Sequence, residues 1–445
     1  MVAARLDRLS LNGLHLTVLA LCTLGLAVDI GEVALSNTFS AIFLAPPYSA
    51  SRSEVSWLLA AIFAGGAIGA PIFGRLADRK GRRFALQTAL ALVLIGSAAA
   101  AASPNVFWMT GCRALSGLAL GAYPPLTAAY LSDVLPAQRR GVLMMLGAAF
   151  AFLGAPGFIL LIRWLTPLAP FGVEGWRWGL IVGAALSAAA AALFFLIPES
   201  PRWCAAIGRI GSAERGLRRF EGSSRGNSPA IVDDPAKWIA EPERVARGTD
   251  SVRIASARPF RRSMLLATVY ALGPWASIGF PLLSAAMMIQ KGFRVSDSLF
   301  FAGLSMFGPT LGLSAAAFFV DKIERRSALI FCAGIMAALA LSFASAADFA
   351  TLTLLGLAFN LSSALFSAIL ALYGAELFPT DIRALGTSAA WAVGRIISGI
   401  VPIALLPLSA VGEFAVCAVI AIAMLCSLFA LAIGGPPGLA GRPVE

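Results

Sequence analysis

The chain has 445 residues, 59% hydrophobic and 13% charged, with a mean hydropathy of +0.83. Soluble domains run nearer a quarter charged and half apolar, so the composition excludes a soluble protein and points to an integral membrane protein. The net charge of +11 would suit a nucleic-acid partner, but the Lys and Arg sit in alternate loops between apolar runs, where the positive-inside rule accounts for them.

Taken in order, apolar runs of at least the ~20 residues a bilayer needs fall at 14–44, 54–74, 84–103, 106–132, 141–165 and 177–197. They resume at 263–290, 296–319, 327–346, 350–377, 384–407 and 411–433. The first run is longer than a signal core and holds two acids, which argues against a cleaved signal peptide. Basic loops at 75–83, 139–140, 202–262 and 322–326 fall on one side if the N-terminus starts there, so both termini are expected in the cytoplasm. The expected fold is all-α, with twelve transmembrane helices in two six-helix bundles, 1–197 and 263–445. Residues 198–262, too polar to build a core, are expected to be a cytoplasmic linker with short helices.

Several spans carry paired helix breakers: Pro124 with Pro125, Gly154 with Pro156 and Gly157, Gly273 with Pro274, and Gly308 with Pro309. They are read as packing kinks or as hinges. The six Cys (22, 112, 204, 332, 417, 426) show no metal spacing and are read as reduced packing residues.

The loop GRLADRKGRR (74–83) has a partner. Asp78, Arg79, Arg82 and Arg83 reappear as Asp321, Lys322, Arg325 and Arg326, at an offset of 243 residues. The same offset carries Tyr130, Asp133, Pro136 and Arg140 onto Tyr373, Glu376, Pro379 and Arg383. Two related halves of membrane spans are the sequence mark of a secondary transporter.

GRLADRKGRR also resembles the signature loop between the second and third helices of the major facilitator superfamily. PESPRW (198–203) resembles the motif that ends the sixth helix in sugar porters and their organic-ion relatives. YGAELFPTDIRALG (373–386) is similar to those relatives' motif after the tenth helix, and CRALSGLALG (112–121) to their fourth-helix pattern. LAVDIGEVAL, with Asp29 and Glu32 three apart, is similar to the Asp-x-x-Glu of the bacterial niacin-transporter and synaptic-vesicle-protein-like group. Aromatic-acid/proton symporters have a related acidic motif. The seventh span, YALGPWASIGFPLL, lacks the Gln pair of true sugar porters. The resemblance implies a monomeric carrier working by alternating access.

Ionisable residues deep in a span are functional candidates by default. Asp29 lies near the middle of the first span and is read as the proton site. The resemblance implies Arg113 as its partner. Glu32, one turn further out, either shares the proton or faces the outer vestibule. Arg395, near the middle of the eleventh span, offers a planar donor fork that suits a carboxylate. The related carriers' charge in that helix implies an anionic substrate; the competing reading is an internal salt bridge to Asp29 or Glu32. Tyr270 and Trp275 are expected to flank a flat ring, with Tyr123, Phe366 and Trp391 as further aromatics. Asn360 either contacts substrate or bonds a neighbouring helix.

The loop charges are read as a cytoplasmic gate that latches helix ends: Asp78 with Arg82, Asp321 with Arg325, Glu376 with Arg383, Asp133 with Arg140, and Glu199 with Arg202. No phosphate loop, metal cluster or nucleophile constellation is present, so neither an enzyme nor ATP coupling is expected. The expected activity is proton-coupled symport of a small organic anion, an aromatic monocarboxylate such as nicotinate first. The proton gradient is the only coupling agent, with no cofactor. The alternatives are a sugar/proton symporter, an organic-ion or drug exporter, and a non-transporting receptor. High Ala, Gly and Arg content suggests a bacterial inner membrane.

Overall fold

The computed structural model describes residues 2–136, 138–222, 259–319, 323–378 and 383–436. Most of the expected linker, and Asp321 of the expected gate, lie outside the described residues. So do the side chains of 383–385.

The described residues are helical, with no strand among them. A short N-terminal helix, α1 (Val2–Arg8), precedes α2 (Gly13–Leu44), α3 (Arg52–Lys80), α4 (Arg82–Ala101), α5 (Val106–Leu120) and α6 (Tyr123–Val134). Then follow α7 (Arg140–Ala151), α8 (Gly154–Leu165), α9 (Gly175–Leu193), and two polar-region helices, α10 (Pro201–Ala206) and α11 (Ile210–Gly222). The second half contributes α12 (Pro259–Ser277), α13 (Gly279–Gln290), α14 (Val295–Ser305) and α15 (Phe307–Phe319). It ends with α16 (Arg325–Ser345), α17 (Phe349–Glu376), α18 (Arg383–Leu408) and α19 (Glu413–Gly434).

Eleven stretches among the described residues are long and apolar enough to cross a membrane. The fourth expected span, split into α5 and α6, is not among them. Proline explains the split: it has no N–H for the carbonyl four residues earlier. Pro124 and Pro125 therefore deprive the carbonyls of Leu120 and Gly121 of that donor, where α5 stops. Pro156 places the α7–α8 break at Phe152 and Leu153, and Pro309 places the α14–α15 break beside Ser305. The fourth expected breaker behaves differently: α12 runs through Pro274 and breaks at Ile278.

The offset of 243 is realised in bonds. Arg83 donates to the carbonyl of Ile197 at 2.8 Å, closing the end of α9, and Arg326 donates to Leu431 and Ala432 at 3.0 and 2.5 Å, closing the end of α19. The Tyr130 hydroxyl donates to the Pro198 carbonyl, and Tyr373 to Pro436 at 2.8 Å. At the opposite end of the bundle, Arg177 holds the carbonyls of Ala101 and Ser103, while Lys291 holds those of Ala344 and Ala346. Each cation has its own acid, Glu174 at 2.7 Å and Glu413 at 2.8 Å. Burial raises the Glu174 carboxyl, but hydrogen bonds from Tyr48 and Arg177 outweigh it and leave the group below its ordinary value.

Within the first half α3 and α5 approach closely through Gly65, Gly69 and Gly117. A Cβ on Gly69 would strike the Leu118 carbonyl, and one on Gly117 the Ile62 carbonyl. In lipid, where apolar side chains gain little by meeting each other, such small-residue contacts carry helix association. Gly69→Ala is expected to destabilise the carrier by about 1–3 kcal/mol, the usual range for overpacking, because the obstructing atom is backbone. A lowered midpoint of thermal unfolding in detergent is the readout; an unchanged one would mean that α3 slides away without cost.

The two halves are joined mainly at the end away from the termini. The largest buried apolar cluster runs from Leu35, Phe39 and Phe43 of α2 into Phe280, Phe301, Phe343 and Phe359 of the second half. Ser40 donates to the Leu282 carbonyl at 2.8 Å, tying α2 to α13, and Arg163 of α8 donates to the Ser296 carbonyl at 3.1 Å. A separate cluster around Val18, Tyr130, Phe194 and Phe220 stays within the first half, at the termini end.

Candidate functional site

Asp29 lies midway along α2 and Arg395 midway along α18. At 1.5 Å per residue that sets both at mid-depth in the bundle, one from each half. Asp29 is only 6% exposed, and its Oδ1 finds no hydrogen-bond partner among the described residues. Arg395 is half-buried, makes no hydrogen bond among the described residues, and lays its guanidinium over the Trp391 ring at 5.1 Å.

Trp391 stands one turn from Arg395 on the same face of α18, toward the termini end. It is 45% exposed and meets Tyr270 of α12 edge to face, ring centroids 6.0 Å apart. Arg395, Trp391 and Tyr270 thus form a cation with an aromatic wall, at the depth of Asp29. This arrangement suits a flat ring bearing a carboxylate: the donor fork takes the acid and the ring edges take the ring.

The expected partnership of Asp29 with Arg113 is not formed. Arg113 bonds Glu32 instead, Nη1 to Oε2 and Nη2 to the main-chain carbonyl, both at 2.5 Å. Depth decides this, because Arg113 lies nearer the far end of the bundle and Glu32 is one turn closer to it than Asp29. The pair is 1% and 0% exposed, so the vestibule reading of Glu32 fails as well. Phe39 covers the guanidinium at 5.6 Å, and Gly183 of α9 admits the Glu32 carboxylate where a Cβ would not.

Tyr270 and Trp275 do not flank one ring. Five residues apart on a helix they point about 140° apart, although both rest partly buried against the apolar cluster shared by the halves. Tyr123 is buried with its hydroxyl against Gly25, near Asp29, and Phe366 is buried. Asn360 donates to the Ser305 carbonyl at 3.3 Å, beside the α14–α15 break. It is bonded to a neighbouring helix.

At the termini end, Asp78 pairs with Arg82 at 2.5 Å, as expected, and Arg82 reaches Asp133 at 3.8 Å. Arg325 pairs with Glu376 at 3.3 Å, the counterpart of the Arg82–Asp133 contact under the repeat. Two expected pairs are replaced. Arg140 bonds Asp7 at 3.2 Å and the Leu135 carbonyl, leaving Asp133 to accept from Ser200 at 2.8 Å. Glu199 accepts from the main-chain N–H of Arg83 at 2.9 Å and of Phe84 at 3.4 Å, where the α4 N-terminus favours an anion. Arg202 turns to Asp7 at 2.6 Å. Asp7 had no motif to mark it; its place on an amphipathic N-terminal segment was the only signal. The same helix ties to α11 through Arg5, bonded to Glu214 and Glu221.

The profile described as "Sugar (and other) transporter" matches residues 17–437. The chain is 26% identical over 397 residues to the niacin transporter NiaP of Acinetobacter baylyi, covering 88% of this chain and 87% of that protein. It is 28% identical over 416 residues to the putative metabolite transport protein YdjK of Escherichia coli, covering 89% and 86%. The arabinose-proton symporter of Bacillus subtilis is 35% identical over 185 residues, 41% of this chain and 40% of that one. Among solved structures, the partially occluded inward-open xylose transporter XylE from E. coli superposes with a TM-score of 0.75 at 17% identity, over 95% of this chain and 98% of that one.

Proposed function

The chain belongs to the sugar (and other) transporter family of the major facilitator superfamily, and on that premise we propose that it is a proton-coupled symporter of a small aromatic monocarboxylate, nicotinate first. The observation that carries this reading is Arg395: a mid-depth cation with no hydrogen bond among the described residues, beside Trp391 and Tyr270. Its donor fork takes the carboxylate and the aromatic pair takes the ring. Asp29 takes the proton, and its protonation releases Arg395 from the pull of the carboxylate opposite. The Glu32–Arg113 pair holds α2 in place behind it. Similarity to a niacin transporter over most of both chains supports the substrate class.

The two bundles, joined through 198–262, rock about this site, with the termini and the charged loops in the cytoplasm of a bacterial cell and the carrier in the inner membrane. The charge network of Asp78, Arg82, Asp133, Arg325 and Glu376 braces the helix ends that part and close. Individually such exposed pairs contribute only ~0–1 kcal/mol, so their effect is on the balance between states rather than on folding.

The sugar/proton reading draws on the 35% identity to the arabinose-proton symporter. Equilibrium binding to the purified carrier separates the two. Labelled nicotinate is expected to bind at pH 6 and to be displaced by benzoate but not by xylose, arabinose or an organic cation. Displacement by a pentose, or no nicotinate binding, would overturn the proposal.

A further inference from the structure

The charges buried at mid-depth have an unequal distribution of partners. Among the described residues four acidic or basic side chains lie deep in the spans: Asp29, Glu32, Arg113 and Arg395. Glu32 and Arg113 neutralise each other inside the first half, sealed from the interface. Asp29 and Arg395 lie at the same mid-depth on opposite halves, Asp29 with a buried Oδ1 that has no hydrogen-bond partner and Arg395 with no hydrogen bond among the described residues. Around Asp29 stand Glu32, one turn along the same helix, Tyr123 of α6, whose hydroxyl lies against Gly25 one turn the other way, and Arg395 at the same depth on α18. The other helices packed along α2 carry their charges at their ends, as with Arg52 and Asp78 of α3, Arg140 of α7, Arg163 of α8, Arg177 of α9 and Asp297 of α14, while α13 has none and α11, charged along its length, reaches the start of α2, where Asn12 donates to the Phe220 carbonyl.

From this placement we infer that Asp29 and Arg395 form a charge-balancing couple across the moving interface, which makes transport electroneutral with one proton per monoanion. The inference rests on the organic-anion reading of the same site. In the empty carrier the Asp29 carboxylate compensates Arg395. In the loaded carrier the proton sits on Asp29 and the substrate carboxylate compensates Arg395. Both forms bring no net charge to the interface when the halves close over it. A carrier holding the proton alone leaves Arg395 uncompensated, and one holding the anion alone sets two carboxylates against one guanidinium. Closing a low-dielectric interface over either is disfavoured, so the half-loaded forms do not cross. This arrangement differs from one that pairs the proton-binding acid inside a single half, because here substrate and acid compete for the same arginine.

The test uses the full-length carrier in proteoliposomes. Labelled nicotinate uptake is measured with a pH gradient while valinomycin and equal potassium hold the potential at zero, and with a potassium-diffusion potential of either sign at equal pH. The expected result is accumulation of about tenfold per unit of pH gradient, with no accumulation driven by the potential alone. Accumulation driven by a negative interior would mean more than one proton per anion and would overturn the inference. In Asp29→Asn, a near-isosteric change, Arg395 is permanently without its compensating acid. That variant is expected to bind nicotinate and to exchange internal for external nicotinate, but to lose net uptake. Binding with exchange lost, or with net uptake retained, would also overturn it. If the wild type moves a neutral sugar and no carboxylate, it is the substrate reading that has failed instead.

Discussion

Arg395→Ala is expected to lower the initial rate of nicotinate uptake by a factor of roughly 30 to several thousand. The range follows from the ~2–5 kcal/mol that truncating one partner of a buried hydrogen-bonded charge pair costs, at about tenfold per 1.4 kcal/mol. The argument is geometric. Arg395 is at mid-depth, half-buried, and has no hydrogen bond among the described residues, so its five donors are available to a ligand. Its guanidinium lies over the Trp391 ring at 5.1 Å, and Trp391 in turn meets Tyr270. Arg395→Lys keeps the charge but loses the planar fork and the stacking on Trp391, so most of the loss should remain. Measured on carrier of equal abundance, an alanine variant that transports nicotinate at the wild-type rate would show that Arg395 serves Asp29 alone.

The second large effect is on stability. Arg113→Met should cost about 3–5 kcal/mol, the usual loss when one member of a buried ion pair is removed. Two bonds of 2.5 Å go with the guanidinium, one to the Glu32 carboxylate and one to its main-chain carbonyl. The carboxylate is then left 0% exposed with no cation. Adding Glu32→Gln to that variant removes the uncompensated charge, and much of the loss should return. The measurement is the midpoint of thermal unfolding in detergent for both single variants and the double. If the double is no more stable than Arg113→Met, the packing around the arginine, and not the charge, carries the effect.

Much of this architecture was legible in the chain. The offset of 243 predicted equivalent residues, and the structure gives Arg83 and Arg326, and Tyr130 and Tyr373, equivalent bonds to the ends of α9 and α19. Three of the four paired breakers marked where spans split, because a missing N–H acts locally, four residues back; α12 runs through Pro274. Mid-span Asp29 and Arg395 stood out because charge is costly in lipid.

What sequence could not give was partnership. Asp29 and Glu32 are one turn apart, and which of them meets Arg113 depends on relative depth and on the roll of α2 against α5. Tyr270 and Trp275 look like a pair in the sequence, yet helical geometry sends them to different faces. Asp7 gathers Arg140 and Arg202 from distant segments, a convergence that no local pattern encodes. The clamps at the far end were within reach of the repeat: Ala101 and Ser103 map onto Ala344 and Ala346 under the same offset. The cations that hold them do not map onto each other, which hides the relation.

The measurement that bears most directly on the central claim is accumulation of labelled nicotinate in proteoliposomes under an imposed inward proton gradient, with and without an uncoupler. Uptake above equilibrium that rises as external pH falls and collapses with the uncoupler is the result expected of a proton-coupled carrier of an aromatic monocarboxylate. Nicotinate that only equilibrates, at a rate indifferent to the gradient and the uncoupler, would contradict it.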